Sequence, residues 1–493
     1  MYSKIKKLGS DTLIYGFATI FGRFLSFLLT PMYTNMLHTS QFEFVIYLYT
    51  LIGCVTVVFS FGMESSFFRF YTREHSDQPR KVFTHAFYVI NLISFAFTLL
   101  ILFSSDSIAA MIANPEVRNA SYLIKLAAFI PLFDTLILIP MGFLRITEQA
   151  KKFAAVRFAM IILTVILNFI FLMGFNLQAQ GVILAQLIVS LIGLFYFIPL
   201  IFRNFINVLD INLLIRMLKF GFPTMPANLA AIILQIGDRP ILSEITKSSL
   251  QVATYQANYR LGIPMMIFVT IFEYAWKPFY LSNHQEENAK VLYSRIFTYF
   301  TLICALIFLT VSLFIPYVIK LPGIGGKYFI NPEYWEGIGI IPIVLAAYFF
   351  NGVFTNISAG FLITKETKYL PLVVGFAAIV NIAANFLLIP YFGYFGAAWA
   401  TFIAYFLSAI LIYRISLKIY PVNYEWKKVG TIALTTLVIF VLDKISMSLF
   451  DGSVEFFIKI LLTAIFLYSL KYFNFFDKDE TVIIKRLFKR SKN

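Results

Sequence analysis

The sequence predicts an all-α protein that crosses a membrane many times, and three observations predict it. Of its 493 residues, 60% are apolar and only 13% are charged, against about 45–50% and about 25% in a soluble domain. Mean hydropathy is +0.81. The apolar residues come in unbroken runs long enough to cross a bilayer as helices, not in the short alternating segments of a barrel. The 57 Phe and 28 Tyr are too many to hide inside one water-exposed core.

A helix needs about 20 apolar residues to span a membrane. Fourteen segments meet that length: approximately 12–37, 42–68, 82–103, 121–144, 153–175, 181–202, 219–242, 250–280, 291–319, 337–363, 369–389, 394–413, 429–449 and 454–473. The opening MYSKIKKLGSDTLIYGF runs into a span too long for a signal-peptide core, and no A-x-A cleavage site follows. It reads as the first span. The connections are short, the longest external ones lying near 104–120 and 320–336. The basic tail (TVIIKRLFKR) reads as a segment lying on the inner surface.

Charge sets the orientation. With the N-terminus in the cytoplasm, 29 of the 40 Lys and Arg fall on the cytoplasmic side and six on the other. That is the positive-inside asymmetry, and it places both termini in the cytoplasm. The net charge of +15 is therefore a topology signal, and nucleic acid is not an expected partner. Cys54 and Cys304 lie inside apolar runs with no Cys or His at ligand spacing. The four histidines are scattered. No nucleophile elbow, P-loop or HExxH motif is present, so the reading is of a protein without catalytic residues, cofactor or metal.

The chain repeats itself. GFLRITEQAKKFAAVRFAMIILTVILNF (Gly142 to Phe169) and GFLITKETKYLPLVVGFAAIVNIAANF (Gly360 to Phe386) share an opening Gly-Phe-Leu, a short charged loop with Ile-Thr, and a closing Asn-Phe. Gly181 and Gly396 then open the next spans. A weaker match pairs Gly16-Phe17-Ala18-Thr19 with Gly221-Phe222-Pro223-Thr224. The unit is six helices, an even number, so both copies have the same orientation. Residues 1–210 and 211–420 are then two six-helix lobes, and 421–493 adds helices 13 and 14 and the tail. Such repeats are a transporter signature, with the substrate site near the midplane between the halves.

FGMESSFFRFY (Phe61–Tyr71), GDRPIL (Gly237–Leu242), AWKPFYLS (Ala275–Ser282) and NIAANFLLIPYFGYFGAAWAT (Asn381–Thr401) follow in order. With them the chain resembles, over essentially its whole length, the Wzx-type polysaccharide exporters of the multidrug/oligosaccharidyl-lipid/polysaccharide flippase superfamily. The resemblance implies a MATE-like fold, a central cavity and alternating access in a bacterial inner membrane. The implied substrate is a polyprenyl-diphosphate-linked oligosaccharide, moved for surface polysaccharide (O-antigen) biosynthesis. Other proteins of polysaccharide assembly are candidate partners, and H+ or Na+ is the candidate coupling ion. A lipid II flippase and a cation-coupled multidrug exporter of the same superfamily are the alternatives. A membrane glycosyltransferase or ligase needs a larger external loop than any here.

Ionisable residues inside spans are functional candidates by default. At 1.5 Å per residue, Arg23, Asp134 and Arg260 lie roughly 16, 20 and 15 Å into spans 1, 4 and 8. Either Asp134 bridges to an arginine, or the arginines line a wet cavity and meet an anion. Arg suits phosphate because its planar fork binds two oxygens and keeps its charge. Related lipid II flippases carry arginines on helices 1 and 8, which the resemblance maps to Arg23 and Arg260. Arg157, Glu64 and Glu273 are placed near the cytoplasmic face, and Lys125, Asp238 and Arg239 near the outer face, where side chains snorkel. Arg69 ends span 2, where it either snorkels to lipid phosphate or is the first contact for an entering headgroup. Asp238 and Arg239 stand as a local surface pair or as gating and substrate residues. The expected substrate-binding set is thus Arg23, Arg260, Arg69 and Arg239, with Asp134 and Asp238 as gating or ion-coupling residues.

Overall fold

The computed structural model describes residues 16, 20–25, 27–72, 78–450 and 452–472. The N-terminal lysines and the basic tail lie outside the described residues, as do 17–19 of the weaker repeat.

The first helix, α1, is described over 20–25 and 27–36. There follow α2 (Thr39–Ser60), α3 (Met63–Thr72), α4 (Pro79–Ile112), α5 (Ala120–Ile146), α6 (Ala150–Phe169, continued by a π turn over Ile170–Gly174) and α7 (Gln178–Asn204). Then come α8 (Ile211–Gly221), α9 (Thr224–Ile236), α10 (Asp238–Thr246), α11 (Ser249–Leu261), α12 (Ile263–Asn283) and α13 (Ala289–Val318). A 3₁₀ segment (Pro332–Ile340) leads into α14 (Ile341–Ile363), and α15 (Tyr369–Phe392), α16 (Tyr394–Ile419), α17 (Trp426–Leu449) and α18 (Gly452–Tyr472) complete the chain. No extended strand is found among the described residues. The only strand-like feature is one isolated bridge, Gly323 to Gly326.

Among the described residues, 12 helical stretches are long and apolar enough to cross a membrane. Large apolar side chains such as Phe103, Leu387 and Phe457 face outward, as lipid contact requires. This is a multi-pass membrane protein. Two of the fourteen expected spans, the first and the eighth, are not among these 12 stretches. The first is only partly described. The eighth, expected over 250–280, is two helices, α11 and α12, that meet at Gly262 just before Pro264. The chain there reads SLQVATYQANYRL, which is too polar for a long apolar window. The seventh is likewise broken at Phe222–Pro223 and again at Gly237.

Both copies of the internal repeat fold as the same hairpin, α5–α6 and α14–α15. Asn168 and Asn385 are buried at matching places. Each amide donates to the carbonyl four residues back, Asn168 to Thr164 and Asn385 to Asn381, both at 2.8 Å. Asn168 also accepts from Tyr33 of α1 at 2.9 Å, a bond between helices. Asn381 and Asn385 bond within their own helix. Helices α4, α5 and α7 pack on one another, α14, α15 and α16 do the same, and the α17–α18 hairpin packs on α13.

The two halves of the chain touch at both ends. At the end that carries Arg145 and Lys151, Gly62 has φ of +69°, and a Cβ there would sit 2.1 Å from the Gly221 carbonyl oxygen. Only glycine permits both that dihedral and that approach. Ser66 Oγ donates to the Met217 carbonyl at 2.7 Å beside it, and Phe61 packs against Phe222 with centroids 5.2 Å apart. At the opposite end, Glu43 accepts from Ser243 at 2.6 Å and from Ser249. Asn35 donates to the Tyr328 carbonyl at 2.9 Å, and Thr39 to Glu333 at 3.0 Å.

Candidate functional site

Between these two closed ends lies a cavity of about 320 Å³. The first half contributes Tyr33 (α1), Tyr49 (α2), Thr164 (α6) and Gln186 (α7), and the second half contributes Arg239 (α10), Gln256 and Arg260 (α11). The helical period explains how α11 supplies two of these: Gln256 and Arg260 are four residues apart and share a face.

Arg239 is 3% exposed and its neighbour Asp238 1%. The guanidinium donates to Asp238 Oδ1 at 2.5 Å, to the Gln235 carbonyl at 2.6 Å and to Gln256 Oε1 at 3.0 Å. It lies over the Tyr259 ring, 4.4 Å from the centroid. The other carboxylate oxygen of Asp238 accepts from the Tyr255 hydroxyl and, at 3.3 Å, from Thr401 of α16. Asp238 is thus tied to its base, a phenol and a third helix.

Arg260 is held differently. It reaches Thr30 Oγ1 at 3.4 Å and lies 5.8 Å from the Tyr33 ring centroid. No carboxylate among the described residues pairs with it. The cavity therefore holds two guanidiniums against one carboxylate, and the carboxylate is already committed. Its unneutralised charge is +1, and attraction to an opposite charge is stronger at a buried site than in bulk water. Such a site can take an anion that offers several oxygens.

The geometry revises the sequence expectations for individual residues. Asp238 and Arg239 do not sit at an exposed edge. They are buried because α10 packs against α11, α15 and α16, which counting along 219–242 does not show. Arg23 donates to Thr270 of α12 at 2.8 Å and does not line the cavity with Arg260. Asp134 does not bridge to an arginine: it accepts from Ser190 of α7 at 2.6 Å. Arg69 is at the basic end, exposed, with its guanidinium 4.4 Å from the Phe220 ring centroid. Glu64 nearby pairs with Arg145 at 3.1 Å. Of the six expected site residues, the structure brings Arg239, Arg260 and Asp238 together.

The profile of a family described as polysaccharide biosynthesis protein matches residues 8–284, more than half of the chain. The chain belongs to the polysaccharide biosynthesis protein family. No curated protein aligns with it at a significant level. Solved structures share its fold. The lipid II flippase MurJ in an inward closed conformation superimposes with a TM-score of 0.76 at 17% identity, covering 94% of this chain and 99% of that one. An inward-facing MATE multidrug transporter of the MOP superfamily gives 0.65 at 14% identity, covering 84% and 96%. A MOP-superfamily transporter from Pyrococcus furiosus, described as having a binding pocket of reversed polarity, gives 0.60 at 15%, covering 84% and 95%. These neighbours are flippases and transporters, so the fold of this family member is that of the MOP superfamily.

Within this family member, sequence reasoning missed Tyr33, Tyr49, Gln186 and Gln256. Their signal was spacing: Gln235 and Arg239, like Gln256 and Arg260, pair a polar residue with an arginine one turn later. In a chain with 28 tyrosines, no single one stands out.

Proposed function

We propose that this protein is a flippase for a polyprenyl-diphosphate-linked oligosaccharide in surface polysaccharide biosynthesis, working by alternating access. The single observation that carries the reading is the +1 cavity formed by Arg239 and Arg260 between the two halves. A lipid diphosphate matches it in sign and in geometry, since each guanidinium can face two phosphate oxygens. A cationic drug would be repelled. The two six-helix lobes, 1–210 and 211–420, rock about this site, and 421–493 supplies the appended helices and tail. The basic end faces the cytoplasm of a bacterium, so the opposite end opens outward. Arg69 meets the headgroup at the entrance, and Arg23, on α1 beside Thr270, meets it on the way in. Asp238 acts as the gating partner of Arg239, and Asp134 supports the α5–α7 contact. Coupling to H+ or Na+ supplies energy.

The repeat supports the lobes, through the matching hairpins and their buried asparagines. The charge asymmetry of the loops supports the orientation. The closed ends support alternating access: about 320 Å³ is too little for an oligosaccharide head, so one end must open to admit it.

Reconstitution into liposomes tests the reading. A polyprenyl-diphosphate oligosaccharide is placed on one leaflet, and a membrane-impermeant reagent detects sugar on the other. Translocation is expected, and Arg260→Ala should reduce it at least about tenfold while the protein stays in the membrane. Absence of translocation, with efflux of a cationic dye down an ion gradient, would assign the fold to drug export instead.

A further inference from the structure

The α17–α18 hairpin encloses a charge cluster that the cavity does not use. Lys459 of α18 and Asp443 of α17 both have 0% side-chain exposure. Lys459 Nζ lies 2.9 Å from Asp443 Oδ1 and 3.1 Å from Glu455 Oε1. These are ionic contacts, not well-aligned hydrogen bonds, and no donor among the described residues reaches Asp443 Oδ2. The walls are apolar: Leu309 and Leu313 of α13, Ile439 of α17 and Phe466 of α18 belong to the same core.

Every charged or titratable group facing the cluster can be named. Helix α13 offers Tyr317, whose ring centroid is 5.8 Å from Lys459 Nζ. Helix α17 offers Asp443 and its neighbour Lys444. Lys444 is exposed and turns to the Phe440 ring, at 5.4 Å, and to Met447 Sδ, at 3.9 Å. Helix α18 offers Glu455 and Lys459. So one ammonium faces two carboxylates. Fully ionised, the cluster carries a net charge of −1 inside a protein core at membrane depth. An uncompensated buried charge is the costliest of all buried groups, and lipid supplies no water to relieve it. Lys444 points away. One further positive charge is needed, and Asp443 Oδ2 is a buried acceptor with nothing to accept.

We propose that Asp443 and Glu455 hold one exchangeable proton between them against Lys459, making the hairpin a proton-binding site separate from the arginine cavity. Uptake forms an O–H bond on a carboxylate oxygen with a proton from water, and release returns it. Glu455 gives the path. It is 16% exposed in its side chain, and Lys459 lies only seven residues, roughly 10 Å, into α18 from its first residue. The site stands independently of what the cavity carries.

Infrared difference spectroscopy on the full chain in lipid nanodiscs tests it directly. The protonated-carboxyl C=O stretch should be present at neutral pH and titrate. Asp443→Asn should remove that component, and Glu455→Gln, at a partly exposed position, should shift it. The pair Asp443→Leu with Lys459→Met, which replaces the ions by apolar groups of similar size, should fold and lack the band. A band unchanged in Glu455→Gln and in the apolar double variant would overturn the proposal. So would a spectrum that responds to sodium at fixed pH and not to pH, because the missing charge would then be a metal ion.

Discussion

Arg239 and Arg260 line the same cavity, yet removing them should have opposite consequences. Arg239 is the counter-charge of a buried carboxylate. Arg239→Ala leaves Asp238 without its buried partner, and a broken buried pair costs about 3–5 kcal/mol. The variant should melt early in detergent, and Asp238→Asn combined with Arg239→Gln should recover most of the loss. Arg260 neutralises nothing among the described residues. Arg260→Ala should leave the melting curve nearly unmoved and weaken binding of inorganic pyrophosphate, measured calorimetrically, by about 10–100-fold, the worth of a charged hydrogen bond of roughly 1.5–3 kcal/mol. Equal stability loss in both variants would refute this division. At this scale the sequence was half legible. Arg260 was found because a charge in the middle of an apolar run is conspicuous. Arg239 was seen, but its burial against Gln256 and Tyr259 was not, since those partners belong to another helix. Lys459 was not singled out, because its partner Asp443 sits on another helix and pairing across helices leaves no local trace.

The elements that the second half brings to the cavity are short, and their boundaries do mechanical work. Helices α8 to α12 are separated by Phe222–Pro223, Gly237, Lys247–Ser248 and Gly262, so this stretch is a set of rigid pieces joined at defined points. Gly62 shows how tightly one such joint is made. Gly62→Ala would force a methyl against the Gly221 carbonyl and strain a positive φ, which should cost more than about 1 kcal/mol. The contact between α3 and α8 should open, and Ser66→Cys should then react faster with a membrane-impermeant maleimide. Gly174→Ala is the control, since a Cβ there meets nothing within 4 Å, and it should change neither rate. Asp210 starts α8 as its N-cap, accepting from the Leu213 amide at 3.0 Å. That bond holds the Asp210 carboxyl below its ordinary value. Its contribution is therefore complete above about pH 4, the unfolded value, and is lost as pH falls through the lower folded value. The Leu213 amide shift in NMR should titrate only below about pH 4, and not at all in Asp210→Ala. Long apolar elements were readable from composition alone. The joints were not, because Gly and Pro in a membrane helix are tolerated as often as they break it.

The molecule as a whole is fastened at both ends, and the fastenings differ in kind. The basic end relies on backbone approach and ring packing. The opposite end relies on hydrogen bonds that converge on Glu43, with Asn35 and Thr39 beside it. A shared acceptor is an efficient place to shift the balance between open and closed states. Glu43→Ala leaves Ser243 and Ser249 without their partner and removes about 1–3 kcal/mol from the closed end. Distance measurements between spin labels across that end should show the open population rising by about 5–150-fold. An unchanged distribution would mean the apolar packing beneath Glu43 holds that end alone. The MOP-type fold was legible from the repeat, the loop charges and four short motifs, while the closure of both ends was not, because it rests on contacts between residues up to 294 positions apart.

On the proposed reading, arginines fixed on short helices stay with the protein while the anion they hold crosses from one leaflet to the other. The moving charge is then that of the ligand, and translocation becomes a current. A cell that keeps its interior negative pushes anions outward, and each elementary charge carried across 100 mV gains about 2.3 kcal/mol. A site that binds the head by its phosphates therefore also couples it to the resting voltage, and a polarised membrane favours export over return.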